Sequence, residues 1–232
     1  TGVGDPYSEE KKRVTEVMLK ALGKVEEYVS SAESPVEALR RALRASVAAN
    51  AIDFGVAGYS FESDKVVDEV LRAVPAIDDT DRFAEYIRGF SKPRIVYLLD
   101  NSGEAVLDAL VSRILRKHFN AEVYAVAKSA PFQNDVTVDD LKIFGLDSEF
   151  TSVVGTGSDG SSVFLWEVSG EVRELLLGAD AVVAKGMANY EYLYFEPGVP
   201  KPKLFALKAK CRVIAESLGV NVGDYVIKFV GC

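Results

Sequence analysis

The chain has 232 residues, 48% of them apolar, with 27 Lys and Arg set against 35 Asp and Glu for a formal net charge of −8. A chain of this length buries roughly 70–75% of its unfolded surface, so it needs no disulfides to fold and forms one large domain or one domain with an appendage. The acidic balance argues against nucleic acid and against an anionic membrane surface as partners, since both are bound through Lys and Arg, and no run approaches the roughly eighteen apolar residues of a membrane span.

The first ninety residues carry helical patterns. From Ser8 to Ser31, the residues Val14, Val17, Met18, Ala21, Leu22, Val25, Tyr28 and Val29 form an apolar stripe on a 3.6-residue period. Ser34-Pro35 reads as an N-cap followed by Pro at the first helical position of a helix running toward Asn50. Glu62 to Val74 and Thr80 to Phe90 give two further helices. At Lys92 the pattern changes. The apolar run 94–99 reads as a buried strand ending in Asp100, and a helix is expected from about Glu104 to His118. Strands are expected at Glu122–Ala127, Phe150–Val154, Ala181–Ala184, Lys203–Leu207 and Tyr225–Val230, and helices from Thr137, over Glu171–Leu177 and over Cys211–Leu218. Ser161–Val168 fits neither pattern. Alternating β and α with near-continuous apolar strands predicts a doubly wound α/β fold: a mostly parallel sheet covered by helices on both faces. Residues 1–91 are assigned to an N-terminal helical subdomain and residues 92–232 to the α/β core.

Two cysteines, Cys211 and Cys232, make neither a zinc ribbon nor a disulfide framework, which favours a cytoplasmic setting. The one His, His118, excludes a site built on two imidazoles. The lone Gln133 fits a thermophilic source, where labile amides are depleted. The chain opens on Thr1 with no signal-like run, so residues are expected to be missing upstream.

Chemistry concentrates where strands end. Asp100-Asn101-Ser102-Gly103-Glu104 joins a buried strand to a helix, at the carboxyl end where open parallel sheets bind ligands. Asp and Asn offer hard oxygen ligands, Gly103 permits close backbone approach, and a helix start attracts anions. An N-cap role explains Asp and Asn there equally well. The loop after the next strand supplies a second such pair, Asn134-Asp135. Asp100, Asn101 and Asp135 could therefore converge on one divalent cation, Mg²⁺ or Mn²⁺ by ligand type, although a turn role also accounts for Asp135. A third loop, Lys185-Gly186-Met187-Ala188-Asn189, places a Lys at a strand end where it suits a phosphoryl group.

The stretch Gly155-Thr156-Gly157-Ser158-Asp159-Gly160 matches G-x-G-x-x-G, with Asp180 twenty residues on. The residues after its third Gly read as extended, whereas a dinucleotide site needs a helix there. We therefore reject it as an NAD site, while a Gly-rich loop beside a phosphate pocket stays open.

These three loops, in this order, resemble the domain-of-unknown-function-89 family, whose members include metal-dependent damage-control phosphatases. The resemblance extends to Asp108, to Asp140, to Asp5-Pro6-Tyr7, to Ala49-Asn50-Ala51-Ile52-Asp53-Phe54-Gly55 and to Lys208-Ala209-Lys210-Cys211, and so spans essentially the whole chain. Here Gly186-Met187-Ala188-Asn189 stands where the family more usually has Gly-Gln-Gly-Asn. Relatives of the microbial type usually carry an N-terminal segment with a pair of cysteines, which this sequence lacks. The resemblance implies a divalent metal (Mn, Mg, Co or Ni) held by Asp100, Asn101 and Asp135, and a phosphate bound by Lys185.

The expected function is a metal-dependent phosphatase acting on small phosphorylated metabolites. Asp100, Glu104 and Lys185 are its candidate catalytic residues. Asn50, Asp53, Ser102, Gly103, Asn134, Lys185, Gly186 and Asn189 are candidates for binding substrate. Asp100 suits either a metal ligand or an attacking carboxylate. The alternatives are a carboxyl methyltransferase, as some relatives have been named, and a non-catalytic metabolite-binding protein. Oligomeric state is left open.

Overall fold

The computed structural model describes residues 4–49, 63–199 and 201–231. Helices α1 (Ser8–Ser30), α2 (Pro35–Ala49), α3 (Ser63–Arg72) and α4 (Thr80–Arg88) lead, with a two-residue strand β1 (Ile77–Asp78) before α4. Then come β2 (Arg94–Leu98), α5 (Ala105–Phe119), β3 (Glu122–Ala127), α6 (Val138–Ile143), β4 (Ser152–Gly155), α7 (Gly170–Gly178), β5 (Ala181–Lys185), α8 (Gly186–Leu193), β6 (Lys203–Lys208), α9 (Arg212–Leu218) and β7 (Tyr225–Val230).

Local chemistry accounts for the boundaries. Ser34 Oγ accepts the Glu37 backbone N–H at 3.2 Å ahead of Pro35, so α2 starts as its sequence announces. At α6, Thr137 and Asp140 form a reciprocal capping box. Asn120, at φ 54°, turns the chain out of α5.

The sheet has seven strands in the order β1-β7-β6-β5-β2-β3-β4, and every neighbouring pair is parallel except β6 and β7. Its side chains alternate between two cores. Ile95, Tyr97, Val123, Ala125, Ala181 and Val183 face α1–α5. Val96, Leu98, Val126, Val182 and Ala184 face α7–α9. Burial on both faces is why the strands read as continuous apolar runs rather than as alternation. The α1 stripe, with Val17, Met18 and Val25, enters the same core as Ile95 and Tyr97, so the N-terminal helices form one of the two layers covering the sheet.

One expectation is corrected. The first ninety residues are not wholly helical, because Ile77–Asp78 pairs in parallel with Val226–Ile227 of β7. Two residues leave no period to read. The ambiguous Ser161–Val168 stretch is an irregular loop. Among the described residues no helix is long and apolar enough to cross a membrane.

Candidate active site

The strand order determines where a site can form. From β2 the chain crosses to β3 on one side, and from β5 it crosses to β6 on the other. Between β2 and β5 lies the switch point at which open α/β sheets bind ligands, outside the carboxyl ends of the strands. Asp100 leaves β2 there, and Lys185 is the last residue of β5. Gly186 sits directly against Asp100 with φ +75°. A Cβ at this position would stand 2.8 Å from Asp100 Oδ1 and closer still to Cγ and Oδ2. Only glycine lets the carboxyl group occupy that place.

Backbone pairing draws in the loop after β3. Asn101 and Asp135 form an isolated antiparallel bridge. Ser102 N donates to Asn134 O at 3.0 Å, Val136 N to Asp100 O at 2.8 Å and Lys128 N to Val136 O at 3.0 Å. Antiparallel partners stand about 4.5–5.5 Å apart at Cα. The three expected metal ligands, Asp100, Asn101 and Asp135, therefore lie side by side because two loops are zipped together.

The carboxylates crowd one another. Burial, followed by Glu104 and Asp135, raises the Asp100 carboxyl well above its usual range. Burial also pushes Asp135 up to about 6, against the opposing pull of Lys128, whose Nζ lies 3.4 Å from Asp135 Oδ2 and donates to Gly160 O at 2.6 Å. Such a site favours a proton or a cation on its oxygens. Lys11 of α1 ties in the N-terminal motif, lying 2.7 Å from both Asp5 and Asp140.

The donor set fits a hard divalent cation. Two carboxylates and an amide oxygen leave room for water or substrate oxygens in a six-fold shell. Among the described residues no group of three or more His, Cys, Asp or Glu side chains is placed to hold a metal ion; a cation beside Asp100 and Asp135 would need the Asn101 amide oxygen as well. Asn101 Nδ2 donates to Asp100 Oδ2 at 3.1 Å and to Glu104 Oε1. With both bonds made by Nδ2, the amide turns its NH₂ toward Asp100 and Glu104 and its oxygen to the other side. Ser102 Oγ, in the turn between Asn101 and Glu104, is buried and has no hydrogen-bond partner among the described residues, as expected of a group that a ligand or water satisfies.

Lys185 departs from expectation. It is 0% exposed. Its ammonium donates to Ser46 Oγ at 2.7 Å, Asp108 Oδ1 at 2.8 Å and Glu104 Oε2 at 3.1 Å. Its three donors are thus directed at groups of the chain itself rather than outward to a phosphate. Asn189 likewise faces inward, donating to Lys185 O at 2.9 Å and accepting from Ser162 Oγ at 3.0 Å. It ties α8 to the loop after β4. Gly103 and Ser102 are buried in the turn, and Asn134 contributes its backbone oxygen. Asn50 and Asp53 lie outside the described residues.

The Gly155–Gly160 loop opens no helix, since α7 begins only at Gly170. The Asp180 carboxylate accepts from Arg94 N at 2.7 Å, at the first residue of β2 and so at the sheet end opposite the site. This removes the dinucleotide geometry and with it the basis for a methyl donor there.

Three groups carried no role in the sequence reading. Asp108 accepts from Lys185, from Tyr97 OH at 2.7 Å and from Ser46 Oγ at 2.5 Å. Lys128 neutralises Asp135. Lys210, exposed just beyond β6, is close enough to pull the Asp100 carboxyl down. The strand-end rule that singled out Lys185 also covers Lys128 and Lys210.

Comparison with known proteins agrees with this fold. The damage-control phosphatase ARMT1-like domain matches residues 1–226. A damage-control phosphatase of Archaeoglobus fulgidus is 35% identical over 232 residues, covering 99% of this chain and 77% of that one. An uncharacterised protein of Methanocaldococcus jannaschii is 35% identical over 224 residues, 96% of this chain and 73% of that one. The crystal structure of a DUF89 family protein from Pyrococcus horikoshii superposes with a TM-score of 0.82 at 33% identity, covering 97% of this chain and 75% of that chain. With the fold, the strand-end loops and nearly the full length in common, this chain belongs to the damage-control phosphatase ARMT1-like family.

Proposed function

We propose that the chain is a metal-dependent phosphatase that hydrolyses small phosphate monoesters, such as sugar phosphates or damaged phosphorylated metabolites. The observation that carries this reading is the zipping of the Asp100–Asn101 turn to the Asp135 loop, which sets two carboxylates destabilised by burial, together with an amide, at the switch point. Relatives named damage-control phosphatases support it.

In this reading Asp100, Asn101 and Asp135 hold a divalent cation: Mn²⁺, Mg²⁺, Co²⁺ or Ni²⁺. Such a cation supplies Lewis-acid stabilisation of the phosphoryl oxygens. The chain supplies the rest. α8 starts at Gly186, against Asp100, and no side chain caps its first N–H groups, so this helix start suits an anion. Lys210, the exposed cation beside Asp100, offsets charge on the phosphoryl group from the solvent side. Water attacks phosphorus, the ester P–O bond breaks, and the alcohol leaves with a proton. Glu104 is spoken for by Asn101 and Lys185, so its task is to orient Asn101.

The test is phosphate release from a panel of sugar phosphates and other monoesters, with each of the four cations and with a chelator. Release that requires a cation and stops on chelation supports the reading. Release indifferent to chelation contradicts it, and metabolite binding without release from any monoester favours a non-catalytic binding protein.

A further inference from the structure

Lys185, Glu104, Asp108, Ser46 and Tyr97 form a polar cluster inside the apolar core, with exposures of 0%, 2%, 0%, 0% and 0%. Burying charge is costly, so a buried ion pair calls for a reason beyond stability. Glu104 and Asp108 stand four residues apart on one face of the α5 start, and both receive the Lys185 ammonium. Tyr97 and Ser46 add donors to Asp108 from the sheet and from α2. Each link ends on the next, and the outermost is Glu104 Oε1, which takes the Asn101 NH₂.

We infer that Lys185 is a positioning residue. It fixes Glu104, and Glu104 holds the Asn101 amide so that oxygen rather than NH₂ is presented to a cation. The inference deepens the proposed function and rests on its metal site. Burial alone would lower the Lys185 pKa, but Asp108 and Glu104 raise it above the ordinary lysine value. The ammonium stays charged and keeps all its donors, which is what a fixed anchor requires.

The geometry makes an unusual demand. In Glu104→Gln the Lys185 ammonium, which can only donate, claims the carbonyl oxygen of the new amide. The NH₂ of that amide then faces Asn101, whose own NH₂ must turn away and displace its oxygen from the cation site. Removing Lys185 as well frees the new side chain to turn its oxygen back to Asn101. Lys185→Met should therefore weaken cation binding in the wild-type background and strengthen it in the Glu104→Gln background.

The experiment titrates the full chain with Mn²⁺ alone, following free Mn²⁺ by electron paramagnetic resonance. The variants are Lys185→Met, Glu104→Gln and the double variant. Lys185→Met and Glu104→Gln should each weaken Mn²⁺ binding by about ten- to a hundred-fold, as for other groups that orient metal ligands. The double variant should bind more tightly than Glu104→Gln. If wild-type chain does not bind Mn²⁺, the metal-site reading fails and takes this inference with it. If wild-type chain binds and Lys185→Met tightens binding in both backgrounds, Lys185 acts only as a repelling charge. If it weakens binding in both or leaves both unchanged, the lysine does not act through Glu104. Either result overturns the inference alone. Should Lys185→Met fail to fold, Glu104→Gln decides: the Asn101 side-chain NH₂ resonance must shift in the ¹⁵N spectrum of the metal-free chain, and an unmoved resonance overturns the inference.

Discussion

Gly186→Ala tests whether the meeting of β2 and β5 sets the position of Asp100. Two costs add. The residue holds φ +75°, and placing an L side chain there costs about 1–2 kcal/mol. The new Cβ also falls within contact distance of the whole Asp100 carboxyl, 2.8 Å from Oδ1 and nearer to Cγ. Asp100 must leave its place, and overpacking of this kind costs about 1–3 kcal/mol. Gly145→Ala is the matched control: φ is +68°, yet nothing lies within 4 Å of its Cβ. It carries the backbone term alone. For a chain of this size about 1 kcal/mol moves Tm by roughly 2–4 °C, so Gly145→Ala should lower Tm by roughly 2–8 °C and Gly186→Ala by roughly 4–20 °C. Calorimetry on both variants reads the first difference and Mn²⁺ titration the second, with affinity falling on the order of ten-fold for Gly186→Ala and unchanged for Gly145→Ala. Equal behaviour of the two variants in both assays would refute the claim that Gly186 makes room for a ligand carboxylate.

Asp108→Ala deprives three donors of their acceptor and leaves the Lys185 ammonium with Glu104 as its one carboxylate partner among the described residues; chemical denaturation should show a loss of about 3–5 kcal/mol, and a loss under about 1 kcal/mol would show that the cluster contributes little. Asp135 predicts a pH dependence. Its carboxyl is raised by burial from an unfolded value near 3.8 to about 6, so the folded metal-free chain holds the proton more tightly than the unfolded chain. The stability this contributes is fully present below about pH 4 and is lost as pH rises through 6. In chelator, Asp135→Asn should therefore gain on wild type in Tm between pH 4 and pH 7, and a constant difference would contradict the crowding of carboxylates.

Much of the architecture was legible because it is local. The 3.6-residue stripe of α1, the Ser34-Pro35 start of α2, the Thr137 cap and the strands buried on both faces all leave their mark within a dozen residues. Strand ends alone marked the loops that carry Asp100, Asn101 and Asp135, which is why they were singled out together; that they meet at a switch point depends on the strand order. What stayed hidden depends on long-range contacts. Lys185 meets Ser46 across 139 residues and Asp108 across 77, and no pattern near Lys185 distinguishes a buried anchor from a lysine reaching into solvent. The bond from Ser162 to Asn189 stayed hidden for the same reason, since Ser162 lies in the irregular loop after β4. β1 was too short to show a period, and its partner β7 lies at the far end of the chain.

The most direct measurement for the central claim is anomalous scattering from a crystal of the chain soaked in Mn²⁺. The account predicts one strong peak at the carboxyl ends of β2 and β3, within about 2.0–2.6 Å of oxygens from Asp100, Asn101 and Asp135. A peak bound elsewhere, or none at a concentration that supports phosphate release, would contradict it.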